Sequence, residues 1–536
     1  MTGALHDTAR FPPVLILILI IALAAFLRLH SLLPIERGLQ FLQDYDEGVW
    51  DSTAQLMLQG YVPYRDFFAT LPPAGIYLLA AVLRLVNVPW GTGVGFMATR
   101  YASVAYGLGT IVVVFLIGRK LGGWPTGLLA AALLGVDGMV IGMDRRVMLE
   151  PPLNLFSALA VLTYCSAWER ARADRQGQRL AVLAGFLSAI AALSKTPGLL
   201  VALALLTVSM LRRRFREAAL IAAGFGVSWT LLSTYFLIHC PGDFLKQVYF
   251  FQLFRPADGI TRWSARLYDI WHYASAWHTV RAGFAGALLL ALVALWRSEA
   301  RRWLVILAWT GYTLALILLN KSYWPQYYVQ LAVPLSLLGG GLVDRGLWPE
   351  WSLAGATGRL RNLPLGGVVF VAILLTGLIG GAVASQYTEM KSMLAQTSPA
   401  YTEVADYLRH NSTTADRILV FEPNYTFLAS RPPAGAQQAR FLVDSYGEML
   451  YTNLGIEERS LPELVTAVMS REESELQHTF WREPAQQQVL AAFEQAQYVV
   501  VDGRARYQLR PETLAAIQAL SAEVFAAGPA SLRARP

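Results

Sequence analysis

Three carboxylates, Asp44, Asp46 and Glu47, fall within four residues of the segment Asp44-Tyr45-Asp46-Glu47-Gly48-Val49-Trp50. They follow the first long apolar run of the chain and precede a polar, aromatic stretch that closes on Leu71-Pro72-Pro73. Acids clustered beside apolar surface hold their protons more tightly, which suits a general base. The same oxygens could hold a divalent cation such as Mg or Mn. Anchoring explains them poorly, because membrane-edge residues are usually aromatic or basic. The plainer reading is a solvated loop start.

Other groups could join them. In Gly60-Tyr61-Val62-Pro63-Tyr64-Arg65-Asp66-Phe67-Phe68, the aromatics suit a membrane interface. Arg65 and Asp66 either pair with each other or reach the site. Asp144-Arg145-Arg146 and Glu150-Pro151-Pro152 lie between two apolar runs, where guanidinium groups could grip a phosphate. A salt-bridged turn is the alternative. Asn320-Lys321-Ser322-Tyr323-Trp324-Pro325-Gln326-Tyr327-Tyr328 begins a helix, whose N-terminus attracts anions, and Lys321 adds charge. An aromatic belt with a snorkelling lysine is the alternative there. Lys195 and Arg255 are two further outward cations. His239, His272 and His278 do not have the spacing of a metal motif. No P-loop, strand–helix GxGxxG or GxSxG elbow occurs. Asn411-Ser412-Thr413 and Asn424-Tyr425-Thr426 match a glycosylation pattern too short to carry weight.

These residues need a scaffold, and composition says which. The 536 residues are 55% hydrophobic and only 15% charged, against roughly a quarter charged in soluble domains. The deficit is concentrated before about residue 385, so residues 1–385 read as a membrane domain and 386–536 as a soluble α/β domain. At about 20 apolar residues per crossing, spans are expected near 12–33, 94–118, 123–143, 149–168, 180–194, 197–211, 217–238, 280–296, 303–319, 325–343 and 365–385. That is about eleven transmembrane helices. Residues 12–33 exceed a signal-peptide core and read as an uncleaved span. The shorter run 74–87 reads as an interfacial helix.

Basic clusters test the count. They occur at Arg119-Lys120, at Arg170, Arg172, Arg175 and Arg179, at Arg212 to Arg214 with Arg216, at Arg297, Arg301 and Arg302, and at Arg345, Arg359 and Arg361. With the spans above, all face one side, which the positive-inside rule makes cytoplasmic. The N-terminus is then cytoplasmic, and the acidic loop 34–93 and the C-terminal domain are extracytoplasmic. Much of the net charge of +7 serves this orientation, so nucleic acid is not expected as a partner. Cys165 and Cys240 fall on opposite sides and are not expected to form a disulfide. In the C-terminal region, Arg417–Phe421 and Tyr498–Val501 read as strands, and stretches near 400–410, 461–470, 485–496 and 511–526 as helices.

One span, then an outer loop with Asp-Glu followed by G-x-x-P-Y-R-D-F-F and P-P, resembles the GT-C superfamily of membrane glycosyltransferases. The nearest likeness is to its protein O-mannosyltransferase and lipid A aminoarabinose transferase (ArnT)-like branch, over roughly residues 12–345. The resemblance implies a GT-C fold. It also implies a bacterial plasma-membrane enzyme that transfers a sugar from a polyprenyl-phosphate donor to a lipid, glycan or protein on the outer face. It puts the essential aspartate on Asp46 with Glu47 beside it, the acid before proline on Glu150, the outer-turn lysine on Lys195 and the tyrosine near the carrier phosphate on Tyr327. Arg100 matches an arginine common in the second span. Where relatives carry a charged or histidine residue before Pro-Pro, this chain has Thr70 and Leu71, and where some carry a metal-ligating histidine it has Gln252.

The implied chemistry is an inverting transfer. Asp46 takes the acceptor proton, and Lys195, Arg145, Arg146, Lys321 and Tyr327 offset charge on the departing phosphate. A flippase for lipid-linked sugars would show inverted repeats and mid-membrane charges, and neither is clear here. A receptor or assembly subunit would work through its outer domain, which carries no recognisable motif.

Overall fold

A computed structural model describes residues 11–40, 44–86, 93–168, 170, 174–272, 277–344, 347, 380, 400–435, 440–469 and 476–536. The first part is helical. It comprises α1 (Phe11–Leu29), α2 (Ile35–Gln40), α3 (Tyr45–Leu58), α4 (Pro73–Leu85), α5 (Gly93–Gly122), α6 (Trp124–Gly135), α7 (Gly138–Asp144), α8 (Glu150–Trp168) and α9 (Arg175–Ser194). There follow α10 (Leu199–Leu211), α11 (Phe215–His239), α12 (Pro241–Leu245), α13 (Phe251–Phe254), α14 (Trp263–His272), α15 (Trp277–Trp296), α16 (Leu304–Leu319) and α17 (Tyr328–Gly340).

Among the described residues, five helices are long and apolar enough to cross a bilayer: α5, α9, α11, Thr279–Trp296 and Ala300–Leu319. A sixth candidate is a bent pair of helices. Helices α6 and α7 meet at 65°, and Asp137 caps α7 by accepting from the backbone N–H of Met139 and Val140, which satisfies donors that the break exposes. Pro13–Leu29, Pro73–Leu85 and Thr196–Leu211 are apolar but shorter. The expected spans up to 343 each coincide with a helix, except 123–143, which coincides with the pair α6 and α7, and several of these helices are too short to qualify. The span 365–385 lies, but for residue 380, outside the described residues, as do Arg172, Arg345, Arg359, Arg361 and the boundary at 385/386.

The two ends of the bundle differ. One end carries Arg119-Lys120, the Arg175–Arg179 segment, Arg212–Arg216 and Arg297–Arg302. Arginines there lie over tryptophan rings, Arg119 at 4.2 Å from Trp124 and Arg212 at 3.3 Å from Trp168. At the opposite end α3, the α7–α8, α9–α10 and α16–α17 turns and the α11–α15 connection converge.

Residues 400–536 carry a four-stranded sheet of order β1-β2-β4-β3 flanked by helices. Strand β1 (Ile418–Leu419) pairs parallel with β2 (Tyr498–Val501), and β4 (Ala530–Ala534) pairs antiparallel with β2 and with β3 (Ala522–Ala527). The expected helix over 511–526 is therefore corrected. It stops after Pro511–Ala519, and the rest becomes β3, because hairpin pairing overrides a local propensity of alanine. Gly528, at φ +54°, makes the turn.

The sheet domain is joined to the acidic loop by one apolar cluster that includes Val49, Tyr64, Phe67, Phe236, Phe244, Val420 and Phe441. Tyr64, Phe67 and Phe68 are buried, so these loop aromatics serve a domain core and not the membrane interface expected of them. Gly48 of α3 fixes how closely the parts approach, since a Cβ there would lie 2.5 Å from the Asn424 nitrogen. Gly48→Ala should cost on the order of 1–3 kcal/mol of stability, read as a lower melting temperature with an unaltered helix signal. Asn424 itself is fully buried, so of the two glycosylation patterns only Asn411 is accessible.

Candidate active site

Helix α3 starts at a capping box. Its N-cap Asp44 takes a backbone N–H of the first turn, and Glu47 returns a bond to the Asp44 N–H at 2.9 Å. Glu47 is otherwise committed. Its two oxygens accept from Arg100 Nε at 2.8 Å and Nη2 at 2.7 Å, and Oε1 also takes the Val147 N–H at 2.8 Å. Both side chains of this pair are fully buried. Glu47, expected beside Asp46 in the chemistry, is thus held off the cavity wall, and Arg100 ties α5 to α3.

Asp46 differs from both neighbours. Its carboxylate makes no hydrogen bond to a described residue and lies on the wall of a cavity of about 880 Å³. Burial, then the charge of Asp44, pushes its pKa up to about 7, with Lys195 opposing. Such a group is poised to exchange a proton near neutrality.

Facing it are cations from separate elements. Lys195 ends α9 in extended conformation, because the Lys195-Thr196-Pro197 turn cannot continue the helix. Its Nζ bonds Glu150 Oε1 at 2.5 Å and lies 5.3 Å from the Tyr327 ring centre. Burial works against the ammonium, but Glu150, Tyr327 and Asp46 outweigh it and raise its pKa. Arg255 pairs with Asp258 at 2.9 Å and lies over Tyr446. Burial again opposes the charge, while Tyr446, Tyr327 and Asp258 hold it. Leu199, Leu200, Leu316 and Ile317 give the cavity an apolar wall where α10 meets α16.

The remaining expected residues divide. Asp44 is on the wall, with Arg146 bonded to it at 3.1 Å. Tyr327 is on the wall, and Glu150 stands behind Lys195. Arg145 is buried against Ser31 at 3.1 Å, away from the wall, and Lys321 is also off it. Neither is placed to bind a ligand in this cavity. Arg65 and Asp66 pair with each other at 2.7 Å with Arg65 half exposed, and neither is on the cavity wall. Gln252 is on the wall. Among the described residues no three His, Cys, Asp or Glu side chains converge as metal ligands, and cationic Lys195 stands close to Asp46.

The cavity also has residues that spacing could not reveal. Asp444, Tyr446, Arg504 and Tyr507 of the C-terminal domain line it. Arg504 Nε bonds Glu422 at 2.9 Å, and its guanidinium carbon lies 3.8 Å from the Tyr45 ring centre. The only local signal for any of them is Asp444, which caps the helix Ser445–Asn453.

The family model for dolichyl-phosphate-mannose-protein mannosyltransferase matches residues 39–253, a segment that includes Asp46 and Lys195. Among solved structures, that of ArnT from Cupriavidus metallidurans bound to undecaprenyl phosphate has a TM-score of 0.65 at 15% identity, covering 96% of this chain and 97% of that one. The archaeal oligosaccharyltransferase AglB from Archaeoglobus fulgidus, in complex with an inhibitory peptide and a dolichol-phosphate, has a TM-score of 0.61 at 13% identity, covering 92% of this chain and 70% of that one. No curated protein sequence matches the chain. The likeness in structure is one of fold, and it agrees with the resemblance read from the residues.

Proposed function

We propose, from the GT-C fold of this membrane chain and its match to a mannosyltransferase family model, that it moves a sugar from a polyprenyl-phosphate donor to an acceptor hydroxyl on the outer face. The observation that carries the reading is Asp46. It is a carboxylate without a hydrogen bond to a described residue, its pKa pushed up to about 7, facing Lys195, Tyr327 and Arg255 across one cavity with an apolar wall.

The prenyl chain lies against Leu199, Leu200, Leu316 and Ile317, and the phosphate sits among Lys195, Tyr327 and Arg255. The acceptor hydroxyl gives its proton to Asp46 as its oxygen attacks the anomeric carbon from the side opposite the phosphate. The bond from that carbon to the phosphate oxygen breaks, its electron pair leaves with polyprenyl phosphate, and the anomeric configuration inverts. The fixed cations act on charge that grows as that bond breaks, which is where electrostatic stabilisation counts most. The donor arrives activated, so no nucleotide site is needed. The positive-inside rule makes the cavity end extracytoplasmic. The test is transfer from polyprenyl-phosphate sugars by the purified chain in liposomes. Translocation of the donor without transfer would replace this reading with a flippase.

The pH profile follows from the base. Activity needs Asp46 ionised, so kcat/KM should fall as pH drops through about 7. Asp44 raises this pKa and Lys195 lowers it. Asp44→Asn, which keeps a capping side chain, should move the acid limb to lower pH. Lys195→Met should move it to higher pH. An acid limb unmoved by either change would take Asp46 out of the profile.

A further inference from the structure

We infer that Tyr45 is a positioning residue, through which the C-terminal domain sets the direction of the Asp46 carboxylate. This rests on the reading of Asp46 as the base.

The residues around Asp46 are held from outside their own helix. The Asp44 carbonyl accepts from Asn424 Nδ2 at 2.9 Å. The Tyr45 hydroxyl donates to Asp444 Oδ1 at 2.8 Å and accepts from the Tyr446 N–H at 3.1 Å. The Tyr45 ring carries the Arg504 guanidinium at 3.8 Å. Glu47, on the other side, is fixed by Arg100 and the Val147 N–H. Asp46 alone among these four makes no side-chain bond to a described residue. Its direction is therefore inherited from a backbone pinned at both neighbours. A short side chain leaving a fixed Cα can reach few places, which is the preorganisation a proton transfer requires.

Three segments of the C-terminal domain converge on this turn: the helix Asn424–Ala429, the helix Ser445–Asn453 with its cap Asp444, and the helix Gly503–Gln508 that carries Arg504. None lies near Tyr45 in sequence. Asp444 cannot swing away cheaply, because Oδ1 also takes the Gly447 N–H at 2.8 Å. The hydroxyl of Tyr45 thus plugs into a rigid cap.

Tyr45→Phe removes the hydroxyl and keeps the ring beneath Arg504. The full chain carrying it should show kcat lowered by about ten- to a hundredfold, with undecaprenyl phosphate binding unchanged. A second readout does not depend on turnover. Dicyclohexylcarbodiimide labels protonated carboxyls, and peptide mass analysis across pH gives a labelling midpoint for Asp46, which should move in Tyr45→Phe. Adding Tyr45→Phe to Asp444→Leu should cost little beyond the larger single loss, because both break one contact. A wild-type kcat, an unmoved midpoint or full additivity would overturn the inference. If the wild type transfers no sugar at all, the functional reading fails, while the labelling midpoint still decides whether Tyr45 governs Asp46.

Discussion

Asp46→Asn is expected to leave a chain that folds and binds undecaprenyl phosphate but turns over about 100- to 10,000-fold more slowly. Asparagine has nearly the same shape and cannot take a proton at neutral pH. Asp46 makes no hydrogen bond to a described residue, so its loss as an acid disturbs little of the fold. Its charge opposes Asp44 and balances Lys195, so neutralising it exchanges one unfavourable contact for the loss of one favourable one. Melting temperature should therefore stay near wild type while kcat collapses. Single-turnover transfer measured beside donor binding separates the two. Turnover within a few fold of wild type would remove Asp46 from the base role.

Arg100→Met should do the reverse and act on stability. It leaves the Glu47 carboxylate buried at 0% exposure with only backbone donors. Breaking such a pair typically costs about 3–5 kcal/mol, a large share of the stability of a typical domain. Glu47→Gln with Arg100→Met should recover most of the loss, because a neutral pair no longer strands a charge. Detergent-solubilised protein unfolded by heat or denaturant provides the measurement. If Glu47→Gln alone abolished transfer while leaving stability untouched, Glu47 would return to the chemistry and the positioning account would fall.

The contrast between these neighbours marks where sequence reading stops. The apolar runs placed α5, α9, α11, α15 and α16 because a crossing helix has few ways to be written. The pattern Asp44-x-x-Glu47 is a legible helix start. Which of two adjacent acids turns inward was not legible, since that depends on Arg100 and the Val147 N–H arriving from elsewhere. Lys195 and Tyr327 stand out in the sequence as an outward cation and part of a helix start, the resemblance gives each its expected role, and their meeting at 5.3 Å follows from α9 and α17 starting or ending at one end of the bundle. Lys321 and Arg145 looked equivalent in the sequence, but each lies off the wall. Beyond the helix cap at Asp444, the reach of Asp444 and Arg504 into the cavity has no local signature, because it depends on how distant segments pack on the acidic loop. The β3–β4 hairpin was hidden for a related reason, its strands being alanine-rich and specified by pairing.

The bond between Tyr45 and Asp444 joins residues 399 apart in the chain. A ribosome adding 5–20 residues per second needs about 20 to 80 s to cover that distance. The acid is thus made well before its outer supports. During that interval Val49, Phe67 and their neighbours lack the apolar partners that Val420 and Phe441 later supply. A product truncated before Asn424 would present Asp46 without these supports. Synthesis of Asn424, Asp444 and Arg504 is thereby also the step that completes the mount of Asp46.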